Sequence, residues 1–293
     1  MDARLSGLLD TQGGVITSAQ ALTFLTRRGL EHQLNSGALQ KVWYGVYGCG
    51  NVTTALRLRG LDLATGTTVA ACMGTAAGVF GFDTEQTQEL HVLNPGGRQL
   101  RPAEGLVVHR RAGALVQVVA GRPVTTPAWT AIEVARSLRR PRALATLDAA
   151  LRSGTCSRAE LQQVVELQAG RRGVVETRSL IGLASPRPES PMESEARLVM
   201  LDGGLPPPAL QYEVVDNDGR VWRLDFAWPD AHVAAEYDGV DWHSGSEAFQ
   251  RDRRRWSALQ EVGWVVVPIV VEDVRYRPVE LVRRLGVQLR KAA

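Results

Sequence analysis

The sequence predicts a multidomain α+β protein, and three observations predict it. Residues 1–52 carry three short helical periods and a two-stranded tail, residues 55–185 mix strands with helices, and residues 189–293 run helix, three strands, helix, strand, helix. At 293 residues, 44% of them hydrophobic, the chain is long enough for two or three cores of ordinary size.

In the first segment a helix over residues 3–11 carries Leu5, Leu8 and Leu9 on one face and breaks at Gly13–Gly14. Thr17 or Ser18 is placed to cap a second helix that holds Ala21, Leu22 and Leu25. Thr26 caps a third, residues 27–36, with Leu30 and Leu34 inward and Arg27, Arg28, His32, Gln33 and Asn35 outward. Gly37 ends it, and residues 39–42 and 45–47 read as short strands with Lys41 at their edge. Three short helices and a β-wing are the plan of a winged helix-turn-helix, whose third helix lies in the major groove. Arg27, Arg28, His32, Gln33 and Lys41 are therefore the expected DNA contacts, with a small helical domain for protein contacts as the other reading.

The middle segment is read as an α/β domain. Small apolar residues between Leu63 and Phe82 look buried; ELHVLNP and GLVVHRR read as strands; PVTTPAWTAIEVARSL and PRALATLDAALRSG read as helices with Pro or Ser/Thr at their starts. His91 and His109 sit on those strands without sequence partners spaced as metal ligands, so they are expected to be structural. Residues 184–191, ASPRPESP, hold three prolines and read as a linker.

In the last segment residues 192–201 form an amphipathic helix beginning with Glu193 and Glu195. Residues 211–215 and 220–228 flank Asp216-Asn217-Asp218-Gly219, a strong hairpin turn, and residues 232–238 follow Pro229-Asp230-Ala231 as a third strand. Residues 246–262 are helical with Phe249, Trp256 and Leu259 in one stripe, residues 264–271 read as a buried strand, and residues 278–290 close the chain as a helix.

If residues 229–232 form the second hairpin loop, cross-strand partners sum to about 461, which sets Asp225 opposite Glu236 and Arg223 opposite Asp238. All four side chains then project to one side. Two carboxylates facing each other repel, and a hard divalent cation, Mg²⁺ with Mn²⁺ as the alternative, relieves that conflict. Such an ion polarises a phosphodiester and acidifies bound water.

The net charge is +3, and among 34 basic residues only Lys41 and Lys291 are lysines. The arginines cluster at Arg27–Arg28, Arg139–Arg140, Arg171–Arg172 and along the run Arg251, Arg253, Arg254, Arg255, a composition that suits phosphate contacts. No stretch reaches the length of a membrane helix, and the N-terminus lacks signal-peptide order. Cys49, Cys72 and Cys156 are far apart and odd in number, as expected for reduced thiols of a cytoplasmic protein.

The strings GGVITSAQAL and LTRRGLEHQLNSGALQKVWYGVYG resemble the N-terminal winged-helix domain of AbiEi-type antitoxins, and the layout that follows is similar to their middle region. SPMESEARL, GLPPPALQ, LDFAWPDAHVAAEYDGVDWH and FQRDRRRWSALQEVGWVVV resemble the PD-(D/E)xK nucleases, in the branch related to the very-short-patch repair endonuclease. That resemblance covers about 100 residues and implies a restriction-endonuclease-like αβββαβ core. It implies Glu193, Asp225 and Glu236 as metal ligands, with Asp238 and His243 in the EYDG…WH signature as further catalytic residues. The family's lysine position holds Asp238 instead, so His243, Arg253 or Arg254 is left to supply a donor or positive charge. Asp252 reads equally as a metal-shell residue or as an ion-pair partner of its arginines, and Arg251, Arg253 and Arg254 as DNA-phosphate contacts. The implied function is a metal-dependent DNA endonuclease with a DNA-binding N-terminus. The alternative is a non-catalytic DNA-binding regulator or antitoxin whose nuclease fold is degenerate; the partner is left open between a toxin and a second copy of the chain.

Overall fold

Side-chain caps laid down in the sequence delimit the first helices. The computed structural model describes residues 2–82, 84, 85, 88–97, 99–239 and 246–292, the side chains of 246–252 and 292 aside. The chain divides into two compact units, Met1–Val79 with Glu85–Thr130, and Phe80–Thr84 with Ala131–Ala293. The division falls inside the segment expected as the middle domain.

In the first unit α1 (Ala3–Thr11) is followed by β1 (Val15–Thr17), α2 (Ser18–Phe24) and α3 (Arg27–Asn35). Thr17 caps α2 in a reciprocal capping box with Gln20, and the Thr26 hydroxyl accepts the Gly29 N–H at 3.1 Å to start α3. Leu5, Leu9, Ile16, Ala21, Leu30 and Leu39 form the core beneath these helices. Leu22 is 40% exposed, whereas Ala21 is buried and Leu25, the C-cap residue of α2, packs against the core. The hairpin β2 (Gln40–Trp43) and β3 (Val46–Gly48) forms as expected, and β1 adds an unforeseen third strand in the order β1-β3-β2.

The unit continues through α4 (Thr54–Thr65), α5 (Met73–Val79), β4 (Leu90–Leu93), β5 (Leu106–His109), β6 (Val116–Val119) and β7 (Arg122–Thr125). β4 and β5 pair in parallel, β6 and β7 as an antiparallel hairpin, and Ala71 bridges both ribbons through Val92 and Val124. Strands β6 and β7 were not foreseen, since PVTT was read as the start of a helix. That helix, α6 (Pro127–Ala135), begins after it.

The second unit holds α7 (Arg140–Arg152), α8 (Arg158–Leu167), α9 (Val174–Leu183) and α10 (Pro191–Asp202). Residues 184–190 are fastened to α7 and do not act as an open spacer. The Ser185 N–H donates to Asp148 Oδ1 at 2.7 Å, and an Arg152 N–H donates to the Pro188 carbonyl. Ser190 then caps α10 through the Glu193 N–H, with Pro191 at the first helical position, where its missing N–H costs nothing.

After α10 come β8 (Ala209–Val215), β9 (Val221–Trp228), β10 (Val233–Tyr237), α11 (Ser246–Glu261), β11 (Val265–Ile269), α12 (Val271–Arg275) and α13 (Pro278–Ala292). The sheet order is β11-β10-β9-β8, with β10 and β11 parallel and the other neighbours antiparallel. Asp216 sets the first turn, its Oδ1 accepting the N–H groups of Asp218 and Arg220. One face of the sheet packs Phe226, Trp228, Val233, Ala235 and Ile269 against Met200 of α10 and Leu281 and Leu285 of α13. The other packs Val214, Leu224, Ala227 and Ala234 against Leu259 of α11 and Trp264. Leu259 is thus buried as expected, whereas Trp256 is 44% exposed.

Candidate functional site

The β9–β10 register follows the expected sum, with Val233 opposite Trp228, Ala234 opposite Ala227 and Ala235 opposite Phe226. The ladder stops there, so the expected pairs Asp225/Glu236 and Arg223/Asp238 lie beyond its end. The pleat breaks at this point. Leu224 and Phe226 are two residues apart yet pack on opposite faces, as do Leu210 and Tyr212 of the neighbouring strand. Gln211 between the latter two has a left-handed backbone, φ 52°. A non-glycine residue held there is strained, and such strain collects at functional sites.

The break frees Asp225 from the ladder. Its Oδ2 accepts the Tyr237 N–H at 2.9 Å, and its Oδ1 lies 3.5 Å from the Gln211 amide nitrogen. The same amide donates to Glu193 Oε2 at 3.0 Å, and that oxygen also accepts the Glu189 N–H at 2.9 Å. Gln211 therefore ties Glu193, on the first turn of α10, to Asp225 on the sheet. Burial pushes the carboxyl of each above its ordinary range, and for Glu193 the Asp225 charge pushes further in the same direction. Arg223 does not join them on one side; it pairs with Glu189 at 2.7 Å.

Glu236 is held separately. Arg255 of α11 forms an ion pair with it, and the same Arg255 nitrogen donates to the Arg223 carbonyl at 2.6 Å. Glu236 and Asp238 line a cleft of about 500 Å³ together with Arg253, Arg255 and Trp256, while Arg254 is exposed. His243 and the side chains of Arg251 and Asp252 lie outside the described residues. Among the described residues, no set of three or more His, Cys, Asp or Glu side chains stands where it could hold a metal ion. Of the three expected acids, Glu193 and Asp225 are thus linked through Gln211, while Glu236 pairs with Arg255. Neither Gln211 nor the role of Arg255 was anticipated; the latter lay within the arginine run that suggested phosphate contacts.

A folded-state carboxyl raised by burial favours stability below its unfolded value, and that contribution is lost as pH rises through the raised one. Glu193→Gln keeps an oxygen for the Glu189 N–H and removes the charge. It is expected to raise stability by about 1 kcal/mol at pH 7, with the gain vanishing in acid, where the wild-type group is protonated. Urea denaturation at both pH values measures this, and a loss of stability at pH 7 refutes it.

In the first unit α3 turns Leu30 inward and leaves Arg27, Arg28, Glu31 and His32 exposed. Gln33 is half-buried where the chain turns back, its carbonyl accepting the Leu39 N–H at 3.0 Å. Lys41 on β2 is exposed, and Tyr44 at the hairpin tip is 95% exposed. The two strand histidines meet across β4 and β5: His91 Nδ1 lies 2.9 Å from His109 Nε2, with the rings stacked at 5.1 Å. Arg111 approaches His109 Nδ1 at 3.5 Å and Glu89 approaches His91 Nε2 at 4.0 Å, extending the pair into a polar chain. The three cysteines are in no disulfide, and among the described residues no helix is long and apolar enough to cross a membrane.

This middle stretch has a defined relationship to known proteins: residues 69–183 match the family described as AbiEi antitoxin C-terminal domain. Nearly the whole chain is similar to two proteins of Mycobacterium tuberculosis, "Uncharacterized protein Rv2248" of strain ATCC 25618 / H37Rv and "Uncharacterized protein MT2308" of strain CDC 1551 / Oshkosh. Each is 54% identical over 268 residues, covering 92% of this chain and 98% of its own. The chain belongs to one family with these mycobacterial proteins.

Proposed function

We propose that the protein is a DNA-binding regulator of the AbiEi antitoxin kind, reading duplex DNA through its N-terminal helices. The observation that carries this reading is the outer face of α3, where Arg27, Arg28 and His32 stand exposed opposite buried Leu30. The neighbouring β2–β3 hairpin offers Lys41 and the exposed Tyr44 ring. A helix with cations on its first turn suits the major groove, and a basic hairpin beside it suits the phosphate backbone. The match of residues 69–183 to the AbiEi antitoxin C-terminal domain supports the same class and brings a toxin partner with it. Fluorescence anisotropy on duplexes from upstream of the protein's own gene, against scrambled duplexes, tests it. Replacing both Arg27 and Arg28 by Ala is expected to weaken binding about tenfold or more and to flatten the salt dependence by about two counterions. Equal affinity for both duplexes, or an unaffected double variant, sinks the reading.

A second reading, phosphodiester hydrolysis by the C-terminal domain, is favoured by one observation, the linked pair Glu193 and Asp225 beside Glu236. As folded, these residues do not fit a divalent ion, because Glu236 is engaged by Arg255. Supercoiled plasmid incubated with the protein in Mg²⁺, Mn²⁺ or EDTA separates the two readings. Cleavage that EDTA and Asp225→Ala both abolish establishes hydrolysis, and its absence alongside tight duplex binding leaves the regulator.

A further inference from the structure

We propose that the Arg255 guanidinium is the resident cation of the C-terminal acid cluster, neutralising Glu236 in place of a divalent ion and excluding one. The proposal stands apart from duplex binding by α3.

Arg255 is fixed by two anchors on different strands: the Glu236 carboxylate of β10 and, through the same nitrogen at 2.6 Å, the Arg223 carbonyl of β9. Its guanidinium carbon lies 6.0 Å from the Trp222 ring centroid, within reach of a cation–π attraction. Its Nε is buried and has no hydrogen-bond partner among the described residues. Asp225 also feels the Arg255 charge, which draws its carboxyl down against the effect of burial. One side chain thus bears on both sheet acids.

The guanidinium group of an arginine carries a permanent charge in proteins. A divalent ion approaching Glu236 has to displace a charge-assisted hydrogen bond and then sit beside a fixed like charge. Asp225 alone does not offset that cost while the arginine is in place, since its Oδ2 already accepts the Tyr237 N–H. The arginine therefore closes the cluster to small hard cations while leaving the acids in place.

The test is Mn²⁺ alone titrated into the full chain, with free Mn²⁺ followed by electron paramagnetic resonance. The wild-type protein is expected to show no saturable site below about 1 mM, a weak limit for carboxylate sites. Arg255→Met is expected to gain a site at least about tenfold tighter, because the competing charge is gone. The double variant with Asp225→Asn loses that gain, and Arg255→Lys, which keeps the charge, stays closed. Should Arg255→Met fail to fold, Arg255→Gln carries the same comparison. Saturable wild-type binding that Asp225→Asn removes overturns the proposal. So does a folded, neutral Arg255 variant that gains no site, or an Arg255→Lys protein that gains one. None of these outcomes touches the Arg27 and Arg28 experiment, so this proposal and the regulator reading fail separately.

Discussion

Arg197→Met lowers the unfolding free energy by about 3–5 kcal/mol at neutral pH, because it strands a buried carboxylate. Asp148, on α7, is fully buried, and its two oxygens accept bonds from Arg197 Nη2 of α10 at 3.0 and 2.8 Å. Another Arg197 nitrogen donates to the Leu183 carbonyl at 2.7 Å, so one guanidinium joins α7, α10 and the end of α9. Methionine keeps the apolar stem and removes all of this. Burial raises the Asp148 carboxyl even with Arg197 present, and loss of the arginine raises it further. A raised folded-state carboxyl favours stability at low pH and opposes it as pH climbs through the folded value. The deficit of the variant against wild type should therefore be greatest at pH 7 and shrink in acid, where Asp148 is protonated. Chemical denaturation at pH 7 and pH 4 measures both, and a deficit below about 1 kcal/mol at pH 7 refutes the account.

Gly173→Ala should be nearly as damaging, for a reason of space. Gly173 opens α9 with φ 81°, and a Cβ built there meets the Arg136 carbonyl oxygen at 2.3 Å. That oxygen belongs to backbone, so relief requires the α8–α9 turn to move. The turn is in turn pinned by Glu133, which is buried and pairs with Arg136 at 2.7 Å and Arg171 at 3.2 Å. A loss of about 3 kcal/mol or more is expected from clash and left-handed strain together. Gly154→Ala is the control: its φ is 68° but nothing lies within 4 Å of the added carbon. That variant should lose only about 1–2 kcal/mol from the backbone. Equal losses for the two, in thermal or urea unfolding, would show that crowding at Arg136 is not the cause.

Much of the local structure was legible. The caps at Thr17 and Thr26, the Asp216–Gly219 turn and the β9–β10 hairpin register all rest on interactions between residues near one another in sequence. Helices α8 and α9 and the short α12 went unread, although Ser157 and Glu160 form a capping box that marks the start of α8. The hairpin β6–β7 also went unread, although its residues stand next to one another in sequence. Its outer strand is exposed along Val116 and Val118, and so it lacks the buried alternation that betrays a strand.

For the candidate site the division is sharper. Sequence alone determined that Glu193 sits on the first turn of a helix, that β9 and β10 pair with partners summing to 461, and that Arg27, Arg28 and His32 face away from Leu30. Periodicity and hairpin geometry suffice for those. Only the tertiary structure decided what each acid touches. The left-handed backbone at Gln211 reverses which face its neighbours serve, and Gln211 then links Glu193 to Asp225 across 18 and 14 residues of chain. Arg255 reaches Glu236 from a helix 19 residues away. A strand's period of two presumes an unbroken pleat, and a long arginine side chain has no period at all, so neither fact could be read from spacing.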